Sequence, residues 1–114
     1  MAERPAIAAL CAREFAELLG SAPTLVSWAP GRINVIGGHT DYNGGLALPG
    51  AIDRWISVAL RPRNDDRIQV RSLDFGGELR GQRGSLKAGD ASWQRFVAGC
   101  VTVFEEQHPL PSGF

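Results

Sequence analysis

Apolar residues recur at helical spacing near both ends of the chain. The first such pattern predicts a helix over residues 5–19, and Gly20 is placed to end it. The second predicts a helix over residues 91–107, with Asp90 as its N-cap and a proline-containing segment after it as its stop. The apolar positions of this second helix are Trp93, Phe96, Val97, Cys100, Val101 and Phe104.

Between the two helices, the pattern is typical of short β-strands and turns. One strand is predicted over residues 24–28, a second over 33–36 within tight loops, and a third over 51–60, with its apolar side chains on one face. Residues 67–73 alternate between apolar and polar positions, which predicts a half-exposed strand, and one more short strand is predicted at 78–80. This order of elements indicates an α+β fold with a mixed or antiparallel sheet and flanking helices.

The composition limits the classes of protein to which the chain can belong. Of its 114 residues, 44% are hydrophobic, which is enough material for a packed core. Lys plus Arg number 12 and so do Asp plus Glu, so electrostatics give no reason to expect nucleic acid or an anionic membrane as a partner. The first helix carries too many charges for a signal peptide or a membrane span, and we expect a cytoplasmic protein.

Two cysteines, Cys11 and Cys100, lie on the apolar faces of the predicted helices. We expect both to be small buried hydrophobic side chains. Their number and spacing predict neither a disulfide framework nor a zinc site, and the sequence has no other metal-ligand spacing.

Residues 29–50 form a glycine-rich segment with a dense cluster of polar side chains. The cluster consists of Arg32, Asn34, His39, Thr40, Asp41, Tyr42 and Asn43. Glycine lets backbone N–H groups approach a ligand, Asp and His can bind neighbouring sugar hydroxyls, and Arg can stabilise charge on a phosphoryl group. Two interpretations remain open: a polar site for a small ligand, or a hairpin with a turn at residues 43–45 whose Thr40 and Asp41 merely cap turns.

A family resemblance adds to this interpretation. Residues 29–43, APGRINVIGGHTDYN, resemble the galactokinase signature APGRVNLIGEHTDYN, and GGLALP at residues 44–49 continues the match. The resemblance to the signature region covers about residues 24–60. Further on, SWQRFVAG at residues 92–99 is similar to the W-x-x-Y-V-x-G helix of galactokinases, and residues 110–114 resemble the segment before that family's phosphate-loop strand.

The resemblance implies that residues 1–114 are an incomplete N-terminal, sugar-binding domain of a GHMP-type kinase, without its phosphate loop and C-terminal domain. The implied activity is ATP-dependent phosphorylation of the anomeric hydroxyl of galactose, which gives galactose 1-phosphate. The implied cofactors are ATP and Mg²⁺, whose ligands lie mostly outside this chain, as does the catalytic aspartate. The complete enzyme is expected to be a monomer, whereas this portion alone is expected to be inactive, marginally stable and prone to self-association through open sheet edges.

The family's functional residues carry over position by position onto this sequence. Arg32 matches an arginine near the transferred phosphoryl group, where it would stabilise the transition state. His39 and Asp41 match residues that hydrogen-bond galactose hydroxyls. With Arg32, they form an implied substrate-binding set that also includes Gly38 and Thr40, and no metal ligand is implied in this chain.

Two positions leave alternatives open. Gly38 replaces the glutamate that galactokinases usually have, which removes a carboxylate contact with the sugar worth about 1.5–3 kcal/mol. This favours a kinase for another sugar, such as arabinose, N-acetylgalactosamine or a glucuronate, and a non-catalytic galactose sensor is a further alternative. Trp93 matches an aromatic residue on the adenine side of the nucleotide pocket, but its place in the helical pattern is equally typical of a helix core.

Overall fold

The computed structural model describes residues 5–114 and divides the chain into two compact units. The first ends at Leu60, and the second is Arg61–Phe114. Each contains one helix and one two-stranded antiparallel sheet. The predicted α+β fold with antiparallel pairing is therefore confirmed. Within residues 5–114, no helix has the length and apolar character that a membrane span requires.

The first unit begins with helix α1, Ala6–Leu19. The predicted end at Gly20 is confirmed, because this glycine has a φ of 71°, the left-handed conformation that commonly terminates helices. Ala8 is fully buried. Cys11 is half-buried, and its Sγ donates to the carbonyl oxygen of Ser57 at 3.8 Å, which ties the helix to the sheet that follows.

That sheet consists of strands β1, Leu25–Ile36, and β2, Leu48–Leu60. The prediction of two separate strands on either side of Pro30 and Gly31 is wrong, because β1 runs through both residues. The register of the pair shifts at this point. Such an irregularity accommodates a proline, which has no N–H to contribute to the ladder.

The predicted strand at residues 51–60 is confirmed as part of β2, and its two faces differ in exposure. Trp55 and Ser57 are half-buried, whereas Ile56 is 66% exposed and Val58 is 52% exposed. In the second half of β2, the face that carries Ile56 and Val58 is therefore the more exposed one. The reason is that α1 covers the other face, the one that carries Trp55 and Ser57.

The second unit pairs β3, Arg67–Arg71, with β4, Glu78–Gln82. Ile68 is 1% exposed and Leu79 is 3% exposed, and together with Ala98 they form the buried apolar core among the described residues of this unit. The predicted alternation of apolar and polar residues is confirmed along β3, since its odd-numbered residues are exposed.

The last residues of the chain pair with the other edge of β3. The N–H of Gln69 donates to the carbonyl oxygen of Phe114 at 2.8 Å, and the N–H of Gly113 donates to that of Asp65 at 2.7 Å. Gly113 is buried, and a Cβ at this position would lie 1.9 Å from the carbonyl oxygen of Arg67. Only glycine therefore fits this close approach of two backbones.

Helix α2, Ser92–Gln107, follows the predicted range closely. Its N-cap is Ala91, so the prediction of Asp90 as N-cap is wrong. The Oε1 atom of Gln94 accepts the N–H of Ala91 at 3.1 Å, which gives the helix the glutamine half of a capping box. Asp90 contributes only its carbonyl oxygen, which accepts from Arg95 at 2.7 Å.

The predicted apolar face of α2 is only partly covered. Ala98 is buried, and the half-buried residues are Trp93, Val97 and Val101. Phe96 is 79% exposed, and Cys100 is exposed as well, so the expectation of a buried Cys100 is wrong. Only a narrow side of α2 packs against the small core of this unit. Fewer of its residues are therefore buried than the apolar pattern of the sequence predicts.

Candidate functional site

Residues 37–47 connect β1 to β2 and carry most of the polar cluster. The connection contains a short 3-10 helix, Asp41–Asn43, which ends at Gly44 in the left-handed conformation with a φ of 75°. The predicted antiparallel pairing across this region is confirmed. The turn is longer than the Asn-Gly signal suggests, because the 3-10 helix lies inside it. We call residues 37–47 the β1–β2 loop.

Two glycines let the β1–β2 loop fold tightly around Thr40. Gly37 has a φ of 94°, and a Cβ there would lie 2.6 Å from the carbonyl oxygen of Leu46. A Cβ at Gly45 would lie 2.7 Å from the Cβ of Thr40. The hydroxyl of Thr40 donates to the carbonyl oxygen of Leu46 at 2.8 Å and so closes the loop.

The imidazole of His39 is held by a residue from the same turn. Its Nδ1 lies 2.7 Å from the hydroxyl oxygen of Tyr42, and the two rings meet edge to face at 87°. The side-chain amide of Asn43 donates to the carbonyl oxygen of His39 at 2.7 Å. Sequence reasoning placed Tyr42 in the polar cluster but gave it no role, since a contact three residues away depends on the 3-10 conformation.

The carboxylate of Asp41 is exposed and partly used by the loop. Its Oδ1 accepts the backbone N–H of Tyr42 at 2.9 Å. Thr40 and Asp41 both bind the backbone of their own loop, although the 3-10 helix has no side-chain hydrogen bond at its N-cap, and Asp41 has a further oxygen. Its second oxygen, Oδ2, makes no hydrogen bond with any of residues 5–114 and can accept one from a ligand.

Arg32 is exposed and lies on β1, where it pairs with Ala51 before the β1–β2 loop begins. Its side chain makes no hydrogen bond and no ion pair with any of residues 5–114. Its guanidinium group therefore keeps all its donors for an anion. The structure thus places all five predicted substrate-binding residues on β1 and the β1–β2 loop, within one unit.

Known proteins share this segment. A sequence profile of the galactokinase galactose-binding signature matches residues 13–62, which include β1, the β1–β2 loop and β2. The galactokinase of Roseiflexus sp. (strain RS-1) is 38% identical over 99 residues, 87% of this chain and 25% of that protein. The human (Homo sapiens) galactokinase is 34% identical over 119 aligned positions, 95% of this chain and 30% of that protein.

The structural comparison agrees with these matches. The crystal structure of Lactococcus lactis galactokinase complexed with galactose matches with a TM-score of 0.72 at 30% sequence identity, over 96% of this chain and 29% of that one. The chain is similar to galactokinases in both sequence and structure. It corresponds to the N-terminal part of a galactokinase and spans between 16 and 30% of the length of the curated relatives that it matches.

Three positions of residues 29–43 differ from the signature, and Gly38 is the one at which a charged side chain is lost. It is exposed, and a Cβ built there would meet no atom within 4 Å. Its φ also lies outside the left-handed region that excludes other residues. Glycine is therefore not required at this position by the backbone or by packing, in contrast to Gly37 next to it.

The remaining predicted groups concern the nucleotide, for which Trp93 is the candidate contact, and the metal. Trp93 lies in the first turn of α2, half-buried, in the second unit. Residues 5–114 contain no group of three His, Cys, Asp or Glu side chains that could hold a metal ion.

Proposed function

We propose that this chain forms the galactose-binding part of a galactokinase. In that enzyme, the γ-phosphoryl group of ATP is transferred to the anomeric oxygen of galactose, which gives galactose 1-phosphate and ADP. The proposal is carried by one observation: the galactose-binding signature matches the segment that folds into β1 and the β1–β2 loop. A cytoplasmic, monomeric enzyme is part of the same proposal.

The roles proposed for the loop residues follow from their free polar atoms. Asp41 accepts a hydrogen bond from a sugar hydroxyl through Oδ2, and the ring of His39 bonds a second hydroxyl. Arg32 stabilises the negative charge of the transferred phosphoryl group with side-chain donors that no group of residues 5–114 occupies. Thr40 contributes by keeping the loop closed.

In the same proposal, the phosphate loop and the catalytic aspartate lie outside this chain. Trp93 is kept as a candidate contact on the adenine side of bound ATP. The magnesium ligands lie mostly outside this chain in the same proposal, and no step of it passes through the metal.

A second candidate function is phosphorylation of a different sugar, and Gly38 favours it. Without the glutamate, the sugar loses one carboxylate contact, and the open space at Gly38 can take a substituent that galactose lacks. N-acetylgalactosamine and a glucuronate carry such a substituent, and arabinose is a third candidate.

Calorimetric titration of the chain with a panel of sugars tests both candidates. We expect galactose to bind, and we expect Asp41→Ala to raise its dissociation constant at least about tenfold, because a sugar hydroxyl loses its charged acceptor. Equal affinity of the wild type and Asp41→Ala for galactose would remove Asp41 from the site. Tighter binding of arabinose, N-acetylgalactosamine or glucuronate than of galactose would establish the second candidate.

A further inference from the structure

The only tyrosine of the chain lies against the histidine of the candidate site. The hydroxyl oxygen of Tyr42 is 2.7 Å from Nδ1 of His39. Tyr42 is 71% exposed, so its ring contributes little to a core. A role in packing does not account for an aromatic side chain at this position, and its hydrogen bond to His39 is its most specific contact.

The backbone on both sides of this contact is fixed by the β1–β2 loop itself. Asn43 binds the carbonyl oxygen of His39 at 2.7 Å, and Asp41 binds the N–H of Tyr42 at 2.9 Å. The 3-10 conformation of Asp41–Asn43 therefore sets the distance between the two rings. The orientation of the imidazole is decided before a ligand arrives.

The direction of the Tyr42–His39 hydrogen bond determines what the other ring nitrogen can do. A neutral imidazole carries its proton on one nitrogen and accepts on the other. If the tyrosine hydroxyl donates to Nδ1, the proton lies on Nε2, which makes no hydrogen bond with residues 5–114. If Nδ1–H donates instead, Nε2 becomes a second acceptor beside the carboxylate of Asp41.

We propose that Tyr42 is a positioning residue whose hydroxyl donates to Nδ1 of His39 and so presents Nε2–H as a hydrogen-bond donor to a sugar hydroxyl oxygen. The proposal rests on the proposed function, since it deepens the role of His39 in sugar binding. A donor on His39 and an acceptor on Asp41 together match a pair of neighbouring hydroxyls, one of which accepts while the other donates. Two acceptors would require both hydroxyls to donate.

The tautomer of His39 can be measured by nitrogen-15 NMR on the imidazole-labelled chain at a pH at which imidazole is neutral. The chain has two histidines, and His108, which contacts Phe104 at a ring distance of 5.1 Å, serves as the internal reference. We expect the proton of His39 on Nε2 in the wild type and a mixture of tautomers in Tyr42→Phe, with no change at His108. A wild-type His39 protonated on Nδ1 would overturn the proposal.

Galactose titrations connect the tautomer to binding. Tyr42→Phe is expected to weaken galactose binding about three- to tenfold, the range for one neutral hydrogen bond. In a His39→Gln background, whose side-chain amide has a fixed donor, Tyr42→Phe should change the affinity less than about twofold, as a double-mutant cycle requires for an effect transmitted through His39.

The outcomes separate the two proposals. If galactose binds the wild type and Tyr42→Phe equally, the positioning role is wrong and the proposed function stands. A Tyr42→Phe effect of the same size in the His39→Gln background also overturns the positioning role, because the effect would then bypass the histidine. If galactose binds neither protein, the proposed function fails, and the role of Tyr42 in sugar binding fails with it.

Discussion

The hydroxyl of Thr40 and one carboxylate oxygen of Asp41 are both used by the backbone of the loop in which they lie. The sequence identifies these residues as chemically important, because they stand in a recognisable signature. It cannot say which of their atoms remain free, since that depends on the 3-10 helix inside the loop. The same limit explains why the contact between His39 and Tyr42 was not predicted.

Adjacent glycines of the β1–β2 loop should respond in opposite ways to substitution. Gly37→Ala is expected to lower the free energy of unfolding by about 1–3 kcal/mol, because the residue has a φ of 94° and its Cβ would lie 2.6 Å from a carbonyl oxygen. Gly38→Glu, which restores the signature's glutamate into open space, should leave the free energy of unfolding nearly unchanged. Urea denaturation of both variants tests this, and equal destabilisation would contradict the described loop.

The ends of elements were predicted best where one residue determines the conformation. Gly20 ends α1 in the left-handed region, as its position in the sequence indicates. At Pro30, however, local signals favour a break in β1, whereas pairing with β2 keeps the strand intact through a register shift. The N-cap of α2 is Ala91 and not Asp90, because the side chain of Gln94 accepts the N–H of Ala91. Strand pairing depends on residues far apart in the chain, and the capping contact depends on local geometry. The hydrophobic pattern of the sequence therefore predicts neither.

The turn before β3 contains an ion pair whose contribution to the stability of the fold depends on pH. Arg63 binds both carboxylate oxygens of Asp65, at 2.7 and 2.8 Å. Its guanidinium group, helped by the backbone N–H of Arg67, lowers the pKa of Asp65 to about 2, below the usual value of about 3.9. The pKa of Arg63 is raised by the same hydrogen bond.

Because the pKa of Asp65 is lower in the folded chain than in the unfolded chain, its contribution to stability is complete above about pH 4 and is lost as the pH falls toward about 2. Carboxyl carbon-13 NMR should give a pKa of about 2 for Asp65 in the wild type and a value closer to the usual one in Arg63→Gln. The pair is exposed, so added salt should reduce the difference. An ordinary pKa in the wild type would rule out the pair in solution.

At the scale of the whole molecule, much apolar surface is exposed. Leu46 is 94% exposed, Phe96 is 79% exposed and Ile36 is 69% exposed. Within residues 5–114, each sheet has two strands, and only the second gains backbone hydrogen bonds from residues 113 and 114. A two-stranded sheet in isolation is marginally stable at best. The curated relatives are more than three times as long as the part that the chain matches. The resemblance to galactokinases could be predicted from sequence because it depends on a signature, but the extent of exposure could not.

We therefore expect the isolated chain to be marginally stable and to self-associate as its concentration increases. Exposed apolar side chains and open strand edges both favour association. Sedimentation velocity over a hundredfold range of concentration should reveal a rising average mass, and thermal melting should be broad. A monomer at every concentration, with a sharp and reversible melt, would contradict this expectation.

The central claim is that the β1–β2 loop, together with Arg32 on β1, binds galactose. The most direct measurement is a titration of the nitrogen-15-labelled chain with galactose, followed by the backbone amide resonances. The account predicts saturable shifts concentrated at Arg32 and at residues 37–47, and weaker shifts with glucose, in which one hydroxyl has the opposite configuration. Saturating galactose that leaves these amides unmoved, or that shifts only residues of the second unit, would contradict it.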